Sequence, residues 1–171
     1  MFSCKMRVPL RVKQQTLGFF VKDGKVWLGV KVGGKDFGKG RLNGFGGDVK
    51  PNETIEEATR REFKEETGVE IIAMEKRAVI EFFFESEPGI VREVHVFWIS
   101  KCSGQPRGSK EMTAEPFFLT DLENLYERMW AGDKLWLSMF FAGKKFRGRV
   151  YYNNPVSNQV IGKEFWEVDE L

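Results

Sequence analysis

The sequence predicts an α+β fold in which helices pack against a mixed sheet, and three observations carry that expectation. Short aromatic and β-branched runs recur along the chain. Two segments carry apolar residues at helical spacing. The order reads strands, helix, strands, helix, strands, rather than a strict strand–helix alternation. The 171 residues fit one domain, long enough to bury a real core.

Taken in order, the opening MFSCKMRVPLRVKQQ is basic, without acids and without a continuous apolar core, so residues 1–15 are expected to form a flexible leader to a domain spanning 16–171. Residues 16–21 and 26–31 are apolar runs separated by Lys22, Asp23, Gly24 and Lys25, and Asp-Gly between two such runs predicts a hairpin. The glycine-rich segment VGGKDFGKGRLNGFGGDV reads as loop. Thr54 with Glu57 has the capping-box pattern, and Gly68 is a natural left-handed stop, which frames a helix of roughly thirteen residues. Residues 78–85 and 94–99 read as strands around a turn at Glu87, Pro88 and Gly89. A short strand at 117–119, a helical turn or two at 121–129, a second helix at 133–142 and closing strands at 146–152 and 164–168 complete the chain.

Composition sets bounds on partners. Sixteen Phe and five Trp make the chain rich in aromatics, and a net charge of +2 gives no case for binding a nucleic-acid polymer. No apolar run is long enough for a membrane span. Cys4 and Cys102 have neither metal-site spacing nor a disulfide framework, which favours a reducing interior.

The chemistry lies in GDVKPNETIEEATRREFKEETGV, residues 47–69. On a helical wheel Ile55, Ala58, Glu62 and Glu66 fall within a narrow arc, with Glu65 beside it. The stripe starts apolar and ends in carboxylates, unlike a solvated face, where acids would sit opposite the apolar side. Three carboxylates on adjoining turns repel one another unless cations sit between them. Oxygen-only ligands suit a hard ion such as Mg²⁺, which takes a few carboxylates together with substrate phosphates. Arg61 lies within the same turns and can hold a carboxylate, and the Gly46-Gly47 pair lets backbone approach a phosphate. A salt-bridged surface helix is the plain alternative, with Arg60 and Lys64 as partners. A lone Glu-Glu pair would favour that alternative, and what favours the metal site is a match of the whole pattern to a known motif.

Those residues match the Nudix box, G-x5-E-x7-R-E-U-x-E-E-x-G-U with U apolar, at every fixed position. The resemblance implies the Nudix fold, a mixed sheet sandwiched between helices, and hydrolysis of a nucleoside diphosphate linked to another group. It implies Mg²⁺, with Mn²⁺ as a substitute, held by Glu62, Glu65, Glu66 and the Gly47 carbonyl. Glu53 would be structural, holding the loop and Arg61.

The likeness extends further. The loop from Phe37 through Asn43 to Gly47, Val94-His95-Val96-Phe97, Lys110-Glu111-Met112, Met129-Trp130, Asp133 with Trp136, Lys144-Lys145-Phe146 and Glu167-Val168-Asp169 resemble the MutT-type oxidised-purine nucleoside triphosphatases of animals. Those enzymes sanitise the nucleotide pool and so avoid DNA damage, converting substrates such as 8-oxo-dGTP to the monophosphate and pyrophosphate. The resemblance implies a purine nucleoside triphosphate substrate, a monomer, and a cytoplasmic location with mitochondrial or nuclear fractions left open. It would give Asn43 a hydrogen bond to the purine and make Phe37, Phe82, Met112 and Trp130 walls of the base site. Thr16 and Lys31 would lie near the nucleotide, Asp133 would pair with the purine edge, and Glu111 would be a further metal ligand or water-activating base.

Several of these residues have plain alternatives: core for Phe82, helix packing for Trp130, a turn for Asn43 and a surface acid for Glu111. His95, the single histidine, and the alternating basic run 144–149 read as structural and solvated. Where the animal enzymes carry two adjacent aspartates, this chain has Gly132 and Asp133, and it has extra length at Gly33-Gly34. The box alone does not separate nucleoside triphosphates from dinucleoside polyphosphates or ADP-ribose, nor an enzyme from a non-catalytic nucleotide-binding module.

Overall fold

A computed structural model describes residues 10–33 and 39–171. Its elements are β1 (Arg11–Lys22), β2 (Lys25–Val30), β3 (Leu42–Asn43), α1 (Ile55–Thr67), β4 (Ile71–Phe84), β5 (Ile90–Cys102), β6 (Glu115–Phe118), α2 (Leu122–Leu125), α3 (Asp133–Phe141), β7 (Phe146–Tyr152) and β8 (Val160–Glu167). The strands run in the order β3-β2-β1-β5-β4-β7-β8, with β6 paired to β2. The sheet is mixed: β1 with β5 and β4 with β7 are parallel, and the remaining pairs are antiparallel.

The β1–β2 turn follows from its sequence. Asp23 and Gly24 have φ of 51° and 71°, both central residues in the left-handed region, where Gly has no steric penalty and Asp is among the more tolerant residues. Beyond the turn, successive side chains alternate between the two faces of the sheet. Phe19 and Val21 join a core with Trp136, Leu137 and Phe140 of α3. Phe20, between them, joins a second core with Phe63 of α1, Trp27 and Phe45. The sheet therefore lies between α1 on one face and α3 on the other, as expected.

Boundaries differ in instructive places. Residues 11–15, read as leader, belong to β1 and pair with residues 90–94 of β5. Their polar sequence carries no apolar alternation because this end of the strand is exposed. β4 begins at Ile71, seven residues before the predicted start, and register shifts near Ala73, Met74 and Ala78 break the period that would have revealed it. The loop reading of Leu42 and Asn43 gives way to a two-residue strand on β2. Among the described residues, no helix is long and apolar enough to cross a membrane.

Candidate active site

The phase of α1 is set at both ends and by its core face. Glu57 donates its amide to the Thr54 hydroxyl at 3.1 Å, and the Glu57 carboxylate accepts the Thr54 amide at 2.9 Å. Gly68 closes the helix at φ 74° and donates its N–H to the Lys64 carbonyl. Ala58 and Phe63 are fully buried, and Phe63 meets Phe45 edge-on at 5.5 Å. Burying that side turns Glu62 and Glu66 toward the loop before the helix.

The glycines there are required by close approach. A Cβ at Gly46 would overlap the Thr16 carbonyl, and one at Gly47 would stand 2.7 Å from the Glu62 carboxyl carbon. With no side chains intervening, the Gly46 amide donates to Glu66 Oε2 at 2.8 Å. The Gly47 carbonyl accepts the Thr16 amide at 2.9 Å, while the buried Thr16 hydroxyl has no partner among the described residues.

Arg61 organises the other acids. Its Nε and Nη2 donate to the two oxygens of Glu53, Nη1 reaches Glu62 at 2.7 Å and Glu65 at 3.3 Å, and Nη2 also donates to the Asp48 carbonyl. The hydrogen bonds from Arg61 hold the Glu53 carboxyl down at about 2. Glu65 is exposed, whereas Glu62 and Glu66 are half-buried.

Glu66 is the perturbed member. Burial pushes its carboxyl up to about 8, Glu62 and Glu111 push in the same direction, and the Gly46 amide and Lys31 oppose them. These influences bring Glu62, Glu66, Glu111 and Lys31 into one electrostatic neighbourhood. Glu111 arrives from the segment beside β2, whose backbone accepts the amides of Val32 and Gly33. Among the described residues, no three acid, histidine or cysteine side chains stand as a ready-made metal cluster. Glu62 and Glu65 turn to Arg61, and Glu66 turns to the Gly46 amide.

A second group forms on the α3 side. Asp133, 5 % exposed, opens α3, and its Oδ2 accepts the Trp130 amide at 3.2 Å. Burial pushes its carboxyl up to about 7, against the Trp130 amide and the charge of Arg41. The Arg41 guanidinium lies over the Trp130 indole, 4.8 Å from the centroid. Phe82 packs against Tyr152 at 6.3 Å, and Trp130 meets the same ring at 6.2 Å.

Of the predicted base-site residues, the structure thus gathers Phe82, Trp130 and Asp133. Asn43 sits on β3, two residues after Arg41, and its Oδ1 accepts the Gly44 amide. Met112 goes elsewhere: it is buried with Phe20, Trp27 and Phe63 on the α1 face, under Gly29, because that glycine leaves room for a long thioether chain. Phe37 lies outside the described residues. His95 stands apart on β5, 2.9 Å from Glu93. Tyr152 and Arg41 were missed: neither belongs to the box, and only a buried hydroxyl and a ring-stacked cation signal them.

A mixed sheet between two helices, with acids of one helix laid against a Gly-Gly loop, defines a Nudix domain. A family model described as the NUDIX domain matches residues 13–140, and the chain belongs to that family. It is 36% identical over 160 residues to the oxidized purine nucleoside triphosphate hydrolase of Danio rerio, covering 93% of this chain and 97% of that protein. To the protein of the same name from Mus musculus it is 33% identical over 156 residues, covering 91% and 96%. The mutator MutT protein of Bacillus halodurans superposes with a TM-score of 0.74 at 22% identity, over 90% of this chain and 97% of that one. MutT of Methanosarcina mazei Go1 gives 0.63 at 18% identity, over 78% and 96%. These solved structures bear on the fold alone.

Proposed function

We propose that the chain is a pyrophosphohydrolase that cleaves oxidised purine nucleoside triphosphates, such as 8-oxo-dGTP, to the monophosphate and pyrophosphate. The observation that carries the reading is the half-buried Glu66 carboxyl, held by the Gly46 amide among Glu62, Glu111 and Lys31. Acids gathered around one buried carboxyl form a site for a hard cation, and an all-oxygen donor set suits Mg²⁺ or Mn²⁺. The named relatives, similar over nearly their whole length, support the substrate class.

Glu62, Glu65, Glu66, Glu111 and the Gly47 carbonyl would hold the cation. When bound, it supplies charge neutralisation to the phosphates and acidity to a water molecule. The chain's own groups do the rest. Arg61 fixes Glu62 and Glu65 in direction, so that the acids need not reorganise during the reaction. Lys31 adds positive charge beside Glu66, where a polyphosphate would lie. A carboxylate of the cluster takes the proton of the attacking water.

Asn43 and Gly47 are four residues apart, so at most about 14 Å of extended chain links the base side to the phosphate side, a span that a nucleoside triphosphate can bridge. Phe82 and Trp130 offer aromatic faces to the base, and Asp133 offers one carboxyl to its edge.

The test is a turnover panel with Mg²⁺ and pyrophosphate detection. The expected result is 8-oxo-dGTP ahead of dGTP. ADP-ribose or a dinucleoside polyphosphate hydrolysed ahead of every triphosphate would overturn the substrate assignment.

A further inference from the structure

Tyr152 ends β7 on the face of the sheet that carries Phe82 and α3. It is 1 % exposed, so both ring and hydroxyl are committed to neighbours. The ring stacks on Phe84 at 5.2 Å and 19°, and touches Phe82 and Trp130. The hydroxyl oxygen accepts the Gly132 amide at 2.8 Å, inside the turn that joins Trp130 to Asp133.

Gly132 has φ −75° and ψ −20°, ordinary helical values that any residue adopts. The backbone therefore does not demand glycine. Space does: a Cβ at 132 would overlap the Tyr152 hydroxyl and come within 3.2 Å of the ring carbon bearing it. One oxygen of Tyr152 occupies the place where a side chain of residue 132 would stand.

We propose that Tyr152 is a specificity-determining positioning residue, which acts through the Gly132 amide to hold Trp130 and Asp133 where they meet the purine. The inference rests on the reading that Phe82, Trp130 and Asp133 receive the base. Without the hydroxyl, the Gly132 amide is buried unpaired and the turn loses its anchor. The acids around α1 lie on the other face and keep their partners. The loss therefore falls on recognition of the base rather than on cleavage.

The experiment is steady-state kinetics on 8-oxo-dGTP and dGTP for the wild type, Tyr152→Phe, Gly132→Ala, the double variant and Tyr151→Phe. Tyr152→Phe keeps the ring stack. Its preference for 8-oxo-dGTP is expected to fall about fivefold to tenfold, the size of one buried hydrogen bond, with the change in KM rather than kcat. Gly132→Ala is expected to lose at least as much, and the double variant to recover part of it, because the overlapped oxygen is gone. Tyr151→Phe, stacked on Phe83 on the opposite face at 4.9 Å, is expected to keep the preference.

A lower Tm for Tyr152→Phe with an unchanged preference would overturn the proposal. So would a Gly132→Ala variant that discriminates like the wild type, which decides the matter alone if Tyr152→Phe does not fold. A wild type inactive on both triphosphates would instead remove the underlying substrate reading, and this inference with it.

Discussion

Arg61 clasps Glu53 at two points, with Nε on one carboxylate oxygen at 2.6 Å and Nη2 on the other at 2.9 Å. The same guanidinium reaches Glu62 at 2.7 Å, so one cation orders an acid of the loop and an acid of the helix. Lysine has the charge but not the planar fork. Arg61→Lys is therefore expected to lower kcat/KM about 10- to 100-fold, as loss of a group supporting metal-site acids generally does. Circular dichroism should show α1 retained; full activity in this variant would sink the orienting role.

The clasp also sets an acid limit. The folded pKa of Glu53, about 2, lies below its ordinary 4.5, so its contribution to stability is present above 4.5 and lost as pH falls toward 2. Glu53→Gln is expected to flatten the fall of Tm across that window. An unchanged acid slope would show that other carboxylates govern it.

Glu66 has the opposite sign. Its folded pKa of about 8 lies above 4.5, so its contribution is present below 4.5 and lost as pH rises through 8. In metal-free protein, Glu66→Gln is expected to melt above the wild type at alkaline pH and to lose that advantage toward pH 5. Added Mg²⁺ should raise the Tm of the wild type more than that of the variant, and turnover by the variant should vanish. A variant that turns over normally would refute the metal role.

Asp133 changes charge near neutrality, since burial lifts its carboxyl to about 7. A single acid has no adjacent twin with which to exchange a proton, because position 132 is glycine and carries no second carboxyl. We expect one oxidised base to be strongly preferred, and the preference to change between about pH 6 and pH 8. Asp133→Asn should abolish that change. Comparing kcat/KM for 8-oxo-dGTP, 2-hydroxy-dATP and dGTP decides it, and equal, high selectivity for both oxidised bases would contradict the expectation.

Phe63 tests the frame beneath the acids. It is fully buried against Phe45, and Phe63→Ala is expected to destabilise the protein by about 3–5 kcal/mol, through lost transfer energy and the cavity left behind. Urea denaturation measures it; a change under about 1 kcal/mol would mean that α1 is held mainly elsewhere.

The sequence was most legible where local chemistry acts alone. Thr54, Glu57 and Gly68 mark the ends of α1 because capping needs only near neighbours. The start of β4 was hidden because its register shifts put consecutive residues out of step with the period of two. Met112 reads as a wall of the base site while the structure buries it with Phe20 and Phe63, because a buried thioether and a base-site thioether leave the same trace in sequence. Tyr152 was invisible for a similar reason: its partner is an amide twenty residues away, and no pattern of side chains encodes it.

Phe19 and Phe20 face opposite ways on β1, one toward α3 and the other toward α1. A slip of one residue in the pairing of β1 with β5 would exchange them and invert both halves together. β1 therefore has no slipped register that would keep sound phosphate chemistry beside a spoiled base site. Its errors should be total, so damage to β1 should appear as lost protein rather than as an enzyme that cleaves the wrong nucleotide.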